Sequence, residues 1–115
     1  MSIRRGETHL AALDPVIGKE IAKTRPVVVV SNDINNEYSG TVTVLPLTSA
    51  SLEKMYPFEV FLPKGSGRLP KDSKAKADQI RTLDKTRLVK RIGKFEKTLM
   101  EEIEAAIRIH LELDR

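Results

Sequence analysis

Lys23-Thr24-Arg25-Pro26-Val27-Val28-Val29-Val30-Ser31-Asn32 is the stretch that decides the fold. Four consecutive valines are β-branched and stiff at χ1, which suits a pleated strand better than a helix. The run is too short for a helix. Its unbroken apolarity predicts a strand buried on both faces. Ser31, Asn32, Asp33, Asn35 and Asn36 follow, with side chains that bond their own backbone, and they read as turn.

Outward from that strand, short β segments alternate with turn punctuation. Residues 7–13 alternate weakly and read as a first strand, stopped by Asp14-Pro15, because proline donates nothing to a ladder and restricts the residue before it. Residues 16–25 form a polar loop around Gly18. Thr41-Val42-Thr43-Val44-Leu45 alternates strictly, so Val42 and Val44 face away from Thr41 and Thr43. Phe58 to Leu62 is a strand bounded by Pro57 and Pro63, and Lys64-Gly65-Ser66-Gly67 is a hairpin tip. Residues 74–83 and 88–94 are further strands.

The tail from 96 to 113 changes period. Leu99, Ile103, Ala106, Ile107, His110 and Leu111 recur at three and four, one face of a helix, with Glu101, Glu102, Glu104, Arg108 and Glu112 outward. Its start is weak, since Phe95-Glu96 stands where a Ser or Thr cap is expected. The class is therefore mainly β with α: five to seven short strands and a C-terminal helix. A small, partly closed barrel fits, because closure limits exposed sheet edges.

The 115 residues fit a single domain spanning 1–115. Hydrophobic content of 40% beside 31% charged residues reads as soluble and globular. The longest apolar stretch, Pro26 to Val30, is far too short to cross a membrane, and no long apolar run follows Met1-Ser2-Ile3-Arg4-Arg5-Gly6 to make a signal peptide. Cysteine is absent, which excludes disulfides and thiolate metal sites and permits a reducing cytoplasm. The two histidines are isolated, so no metal or cofactor is expected. The net charge of +4 biases the chain toward a polyanionic or acidic partner.

Chemistry concentrates in one constellation. Gly18-Lys19-Glu20, Thr24-Arg25-Pro26 and Leu45-Pro46-Leu47-Thr48-Ser49 set a carboxylate, a permanently charged guanidinium and a hydroxyl at the ends of strands. A guanidinium fork meets phosphoryl oxygens bidentately, and a hydroxyl donates without adding charge. That equipment suits a phosphodiester. Taken singly, Arg25 reads as a surface arginine, Thr48 as a turn residue, and Glu20 and Asp78 as solvated loop charges.

These segments, with Arg5-Gly6-Glu7, Leu13-Asp14-Pro15, Ser31-Asn32, Tyr56-Pro57-Phe58-Glu59-Val60, Asp78-Gln79-Ile80-Arg81-Thr82 and Lys90-Arg91-Ile92-Gly93, resemble the MazF/PemK (Kid-like) toxins in order and spacing from about residue 4 to 94. The resemblance implies a small SH3-like barrel of the CcdB/PemK type and a homodimer. It also implies sequence-specific, metal-independent cleavage of single-stranded messenger RNA, and a cognate MazE-like antitoxin whose acidic, flexible tail blocks the site. By the same resemblance Arg25 stabilises charge on the scissile phosphate and Thr48 donates to it; Glu20 and Asp78 are the two carboxylate candidates for the base, with Glu20 preferred because it shares the loop of Arg25. Lys19, Lys23, Thr24, Ser49, Lys76, Asp78, Gln79 and Arg81 are the expected RNA-binding residues, with Arg87 a further phosphate contact. His9 departs from the aromatic usual in that family's first strand and reads as structural.

A related family with the same barrel poisons DNA gyrase without catalysis, so a CcdB-like poison, or an inactive RNA- or protein-binding homologue, is the alternative. The Arg25 and Thr48 pairing argues against it.

Overall fold

The valine run behaves as its composition dictates. In the computed structural model, which describes residues 2–113, β2 spans Thr24–Val29 and its valines are buried on both sides. Val28 joins Leu45, Leu47, Leu62, Phe95 and Ile103 in one core. Val27 and Val29 join Ala11, Leu13, Val42, Val44 and Leu83 in a second core on the opposite face. Each side chain fully removed from water contributes about 1.5–3 kcal/mol.

Strand β3 (Thr41–Thr48) is the hub. One edge pairs with β2, matching Val27 to Pro46 and Val29 to Val44. The other edge pairs first with β6 (Arg81–Asp84), through Thr41 to Val44, and then with β5 (Ser73–Lys76), through Leu47 and Thr48. Leu45 and Pro46 lie in the gap between those two ladders. A proline is tolerated there because no neighbour on that side needs its missing N–H. The strand consequently runs three residues past the alternating stretch Thr41–Leu45.

β1 (Glu7–Ala12) sits between β2 and β7 (Leu88–Lys94), and β4 (Glu59–Leu62) closes the far edge on β5. The order is β4-β5-β3-β2-β1-β7, antiparallel throughout, with β6 on β3. The ladders do not run continuously around a barrel. The turn after β4 instead docks on β7 by backbone contact. A Cβ on Gly93 would lie 2.6 Å from the Gly67 carbonyl oxygen, and the Thr8 hydroxyl donates to that same oxygen at 2.8 Å. Gly67, at φ +55°, could carry no Cβ without meeting the Phe95 ring at 2.6 Å.

The C-terminal helix, α2 (Lys97–Leu111), buries Leu99, Met100, Ile103 and Ala106. Glu96 caps it without a side-chain hydrogen bond, the weak start read from the sequence. Arg5 clamps it to the sheet, with one nitrogen 2.7 Å from Glu104 Oε2 and the other bonded to the Val30 carbonyl.

Three expectations need correction. Residues 33–38 are a short helix, α1 (Asp33–Tyr38), rather than a turn; Asn32 Oδ1 accepts from the Asn35 N–H at its start. The segment 74–83 is two strands divided by a 3₁₀ turn at Ala77–Gln79, because β5 and β6 pair with successive parts of β3. His110 and Leu111 are exposed, since the helix has run past the sheet beyond Ile107; His110 keeps an edge contact with the Phe58 ring at 5.8 Å.

Candidate active site

Arg25 belongs to β2 and not to the polar loop that precedes it. Its Nε donates to the Ala22 carbonyl at 2.8 Å, which orients the guanidinium at the mouth of the loop and leaves its terminal nitrogens free of any hydrogen-bond partner among the described residues. Lys23, at φ +70°, turns the chain into the strand. Its N–H bonds Asp14 Oδ1 at 3.1 Å and its carbonyl accepts from Leu13 at 3.0 Å, so the loop is pinched shut at its base.

Thr48 is the last residue of β3. The β2–β3 ladder ends at Val27 and Pro46, and two more residues in the same register set Arg25 opposite Thr48. Strand alternation puts both on the face of Val27, Val29, Val42 and Val44, just beyond the edge of that core. The Thr48 hydroxyl accepts from the Ala50 N–H at 3.1 Å, which leaves its own proton to donate. Ser49 is exposed beside it and lines a cleft of about 200 Å³ with Arg25, Pro26 and Pro70.

Glu20 lies in the loop before β2 and lines a cleft other than that of Arg25. Its carboxylate accepts the Ile17 N–H at 2.8 Å and shares a second cleft, of about 310 Å³, with Asp78, Gln79 and Arg81. Gln79 Oε1 accepts the Ile21 N–H at 3.2 Å, and Arg81 donates to the Leu13 carbonyl at 3.2 Å. Both contacts hold the 13–23 loop against the β5–β6 corner. The structure thus gathers Glu20, Asp78, Gln79 and Arg81 in one cleft and Arg25 and Ser49 in another, with Thr48 opposite Arg25 in the β2–β3 register. Lys19 and Thr24 are exposed on the loop and at the first position of β2.

Two expected phosphate contacts already have partners. Lys76 Nζ is 2.8 Å from Glu59 Oε2 and 3.8 Å from Asp78 Oδ1. Arg87 donates to the carbonyls of Ala12 and Asp14 at 3.0 and 2.6 Å, buttressing the loop from below.

A group with no local sequence signal holds Thr48's surroundings. Lys74, the cross-strand partner of Thr48, is buried. Its Nζ donates at 2.9 Å to each of three oxygens: the Ser51 carbonyl, the Lys54 carbonyl and Glu59 Oε1. All three ammonium protons are satisfied, and the loop after Thr48 is fastened to the sheet. Burial pushes the Glu59 carboxyl up, but hydrogen bonds from Lys76, Lys74 and the Tyr56 N–H outweigh it and hold the group below its ordinary range. Glu7 is similar. Burial is outweighed by His9, the Arg4 N–H and Arg91, and its pKa is lowered. His9 is buried with Nε2 3.0 Å from Glu7 Oε1, a structural position.

Among the described residues no three His, Asp or Glu side chains stand together as a metal site, and no helix is long and apolar enough to cross a membrane. The sequence model of the PemK-like, MazF-like toxins of type II toxin–antitoxin systems matches residues 4–111. The chain belongs to that family.

The chain is 40% identical over 116 residues to the endoribonuclease MazF9 of Mycobacterium tuberculosis, covering 96% of this chain and 98% of that protein. MazF from Deinococcus radiodurans superposes with a TM-score of 0.84 at 26% identity, over 97% of this chain and 98% of that one. A mycobacterial endoribonuclease solved in complex with its cognate antitoxin shares the fold, with a TM-score of 0.81 at 24% identity over 98% of each chain. The mainly β fold with a C-terminal helix is the fold of these MazF structures.

Proposed function

We propose that this MazF-like toxin is a metal-independent endoribonuclease that cuts single-stranded messenger RNA at a short sequence and so arrests translation and growth. The 2′-hydroxyl attacks the adjacent phosphorus, the P–O5′ bond breaks, and the products carry a 2′,3′-cyclic phosphate and a 5′-hydroxyl. Arg25 meets the charge that grows on the phosphorane oxygens. Thr48 donates a hydrogen bond from its hydroxyl to the same phosphate and keeps its proton. Glu20, which lines the neighbouring cleft, takes the proton of the attacking 2′-hydroxyl when the bound RNA spans both clefts, and the 5′ oxygen leaves with a proton from solvent. Lys19, Lys23, Thr24, Ser49, Asp78, Gln79 and Arg81 border the RNA, while Lys76 acts through Glu59 and Asp78.

The observation that carries this reading is the register that sets Arg25 opposite Thr48 at the open ends of β2 and β3. A cation and a donor on one face, with free valences, are what a pentacoordinate phosphorane requires. We further propose that the protein works in the cytoplasm as a homodimer and is silenced by an antitoxin with an acidic tail. Membership of a toxin–antitoxin family and the surplus of positive charge support the acidic antitoxin.

The test is incubation with long synthetic single-stranded RNA in excess EDTA, beside Arg25→Ala and Thr48→Val, with product ends mapped by mass spectrometry. Discrete cuts with cyclic-phosphate ends, lost in both variants, are expected. No cleavage by folded wild type on varied RNAs sinks the reading and makes gyrase inhibition the next assay.

A further inference from the structure

A second groove opens beside Arg25. A cleft of about 520 Å³ lies against β2, β1 and β7, walled by Leu10, Pro26, Pro70 and Ile92 and bordered by Arg68, Lys90 and Arg91. It shares Pro26 and Pro70 with the cleft that holds Arg25, Ser49 and Lys71. The two clefts therefore adjoin at Pro26 and Pro70 and form one trough-like surface.

The trough follows the strand ladders. Pro26 pairs with Leu10, and Leu10 pairs with Lys90, so these three residues form a row across neighbouring strands. Strands lie about 4.8 Å apart, so the row runs about 10 Å from Pro26 to Lys90. β7 bulges on β1: Thr8 pairs with Gly93 and His9 with Arg91, which leaves Ile92 outside the ladder. A bulge re-aims side chains, and here it brings Lys90, Arg91 and Ile92 to the same cleft. Arg68 is presented by the turn that the Gly67–Gly93 contact clamps to β7, and it is held at φ +59°.

Charge selects the occupant. No acidic residue lines either cleft, although the chain has 16 acids against 20 bases. Arg91 spends Nε on Glu7 at 2.9 Å, yet its side chain is 49% exposed. Arg68 and Lys90 have no ion-pair partner among the described residues. Neighbouring unpaired cations over an apolar floor repel one another unless an anion lies among them.

We propose that this trough is the track by which an extended RNA strand continues away from the scissile phosphate at Arg25. Backbone phosphates lie against Arg68, Lys90 and Arg91, and nucleotide faces rest on Leu10, Pro26 and Ile92. The proposal rests on the ribonuclease reading. An acidic peptide carries the same charge. RNA is favoured because the trough adjoins the cleft that Arg25 lines, and a strand gripped at Arg25 must continue across an adjoining surface.

The experiment compares three RNAs with the same cut motif: one barely long enough to be cut, one extended on its 5′ side and one extended on its 3′ side. It uses the full chain and the double variant Arg68→Gln/Lys90→Gln. On the RNA extended on one side, kcat/KM falls about tenfold, and the log–log salt dependence flattens by about 1.4, two phosphate contacts at about 0.7 each. On the short RNA the variant matches wild type, which also shows that it is folded. Equal loss on both lengths, or no loss on either extended RNA, overturns the track while leaving the ribonuclease reading intact. Wild type that neither cuts nor binds any RNA overturns both. A variant that cuts extended RNA normally but resists inhibition by a poly-glutamate peptide assigns the trough to an acidic peptide instead, and also overturns the track.

Discussion

Lys74 pairs with Thr48 across the β3–β5 ladder, and its buried ammonium holds the loop that begins one residue after Thr48. The proposed phosphate donor and the clamp that shapes its surroundings are thus neighbours on adjacent strands. Lys74→Met keeps the stem but leaves Glu59 with one partner fewer and two loop carbonyls without donors. Breaking one side of a buried pair costs about 3–5 kcal/mol, and urea unfolding should show a loss near that size. A loss below about 1 kcal/mol would mean that the Lys74 network is not what fastens the 51–54 loop.

Thr48 itself is surface chemistry rather than core. Thr48→Val preserves shape and removes the donor, so kcat on RNA should drop about 10²–10³-fold with the melting temperature nearly unchanged. Thr48→Ser keeps the donor and should keep most of the activity. Equal rates for the valine variant and wild type would remove Thr48 from the mechanism.

Glu20→Gln tests the base. Loss of about 10²–10⁴-fold in kcat is expected if Glu20 accepts the 2′-hydroxyl proton. An unchanged rate would hand that task to another group and leave Glu20 as a loop cap for the Ile17 N–H.

Acid should weaken the fold through Glu59 and Glu7. Both have pKa values below 4.5 in the folded chain, so the folded state binds their protons less readily than the unfolded chain does. Their stabilisation is fully present above pH 4.5 and is lost as the pH falls through the depressed folded values. Urea midpoints should therefore decline below about pH 4.5, and Glu59→Gln should flatten that decline while lowering stability at pH 7. A midpoint independent of pH from 5 to 3 (roughly the window over which paired carboxylates titrate) would show that neither pair is coupled to folding.

Gly67→Ala should be costly. The added methyl meets the Phe95 ring at 2.6 Å and the residue must stay at φ +55°. Overpacking adds about 1–3 kcal/mol to the left-handed backbone penalty of about 1 kcal/mol. Gly18→Ala, at φ +58° with nothing within 4 Å of its Cβ, should cost only the backbone part. Comparable melting temperatures for the two variants would mean that the turn yields readily on β7.

Much of this was legible locally. The valine run announces a strand buried on both faces because it lacks alternation, and the structure uses both faces. The Thr41–Leu45 alternation and the period of the last helix were equally direct. What the chain concealed was set by neighbours far away in sequence. Pro46 reads as a strand breaker until one sees that the ladders of β6 and β5 stop on either side of it. α1 lacks an amphipathic period and is rich in poor helix formers; only Asn32 as a cap and Asp33 in the first turn hinted at it. The Glu59–Lys74–Lys76 network had no sequence signature, because 15 residues separate Glu59 from Lys74 and only the β4–β5 pairing brings them together. The split of the site residues into two clefts was hidden for the same reason, since it depends on how the 13–23 loop folds over the sheet.

The pairing of β1 with β7 has a consequence for when the protein becomes dangerous. Glu7 finds its cross-strand partner only at Lys94, and β3 needs strands as late as Asp84 on its free edge. A nascent chain therefore carries Arg25 and Thr48 early but lacks the scaffold that holds them until most of it has left the ribosome. Sheets built from such distant partners assemble slowly. The order of synthesis thus delays the pairing of Arg25 with Thr48 until the last strands emerge, an interval in which an antitoxin can meet an unfinished chain.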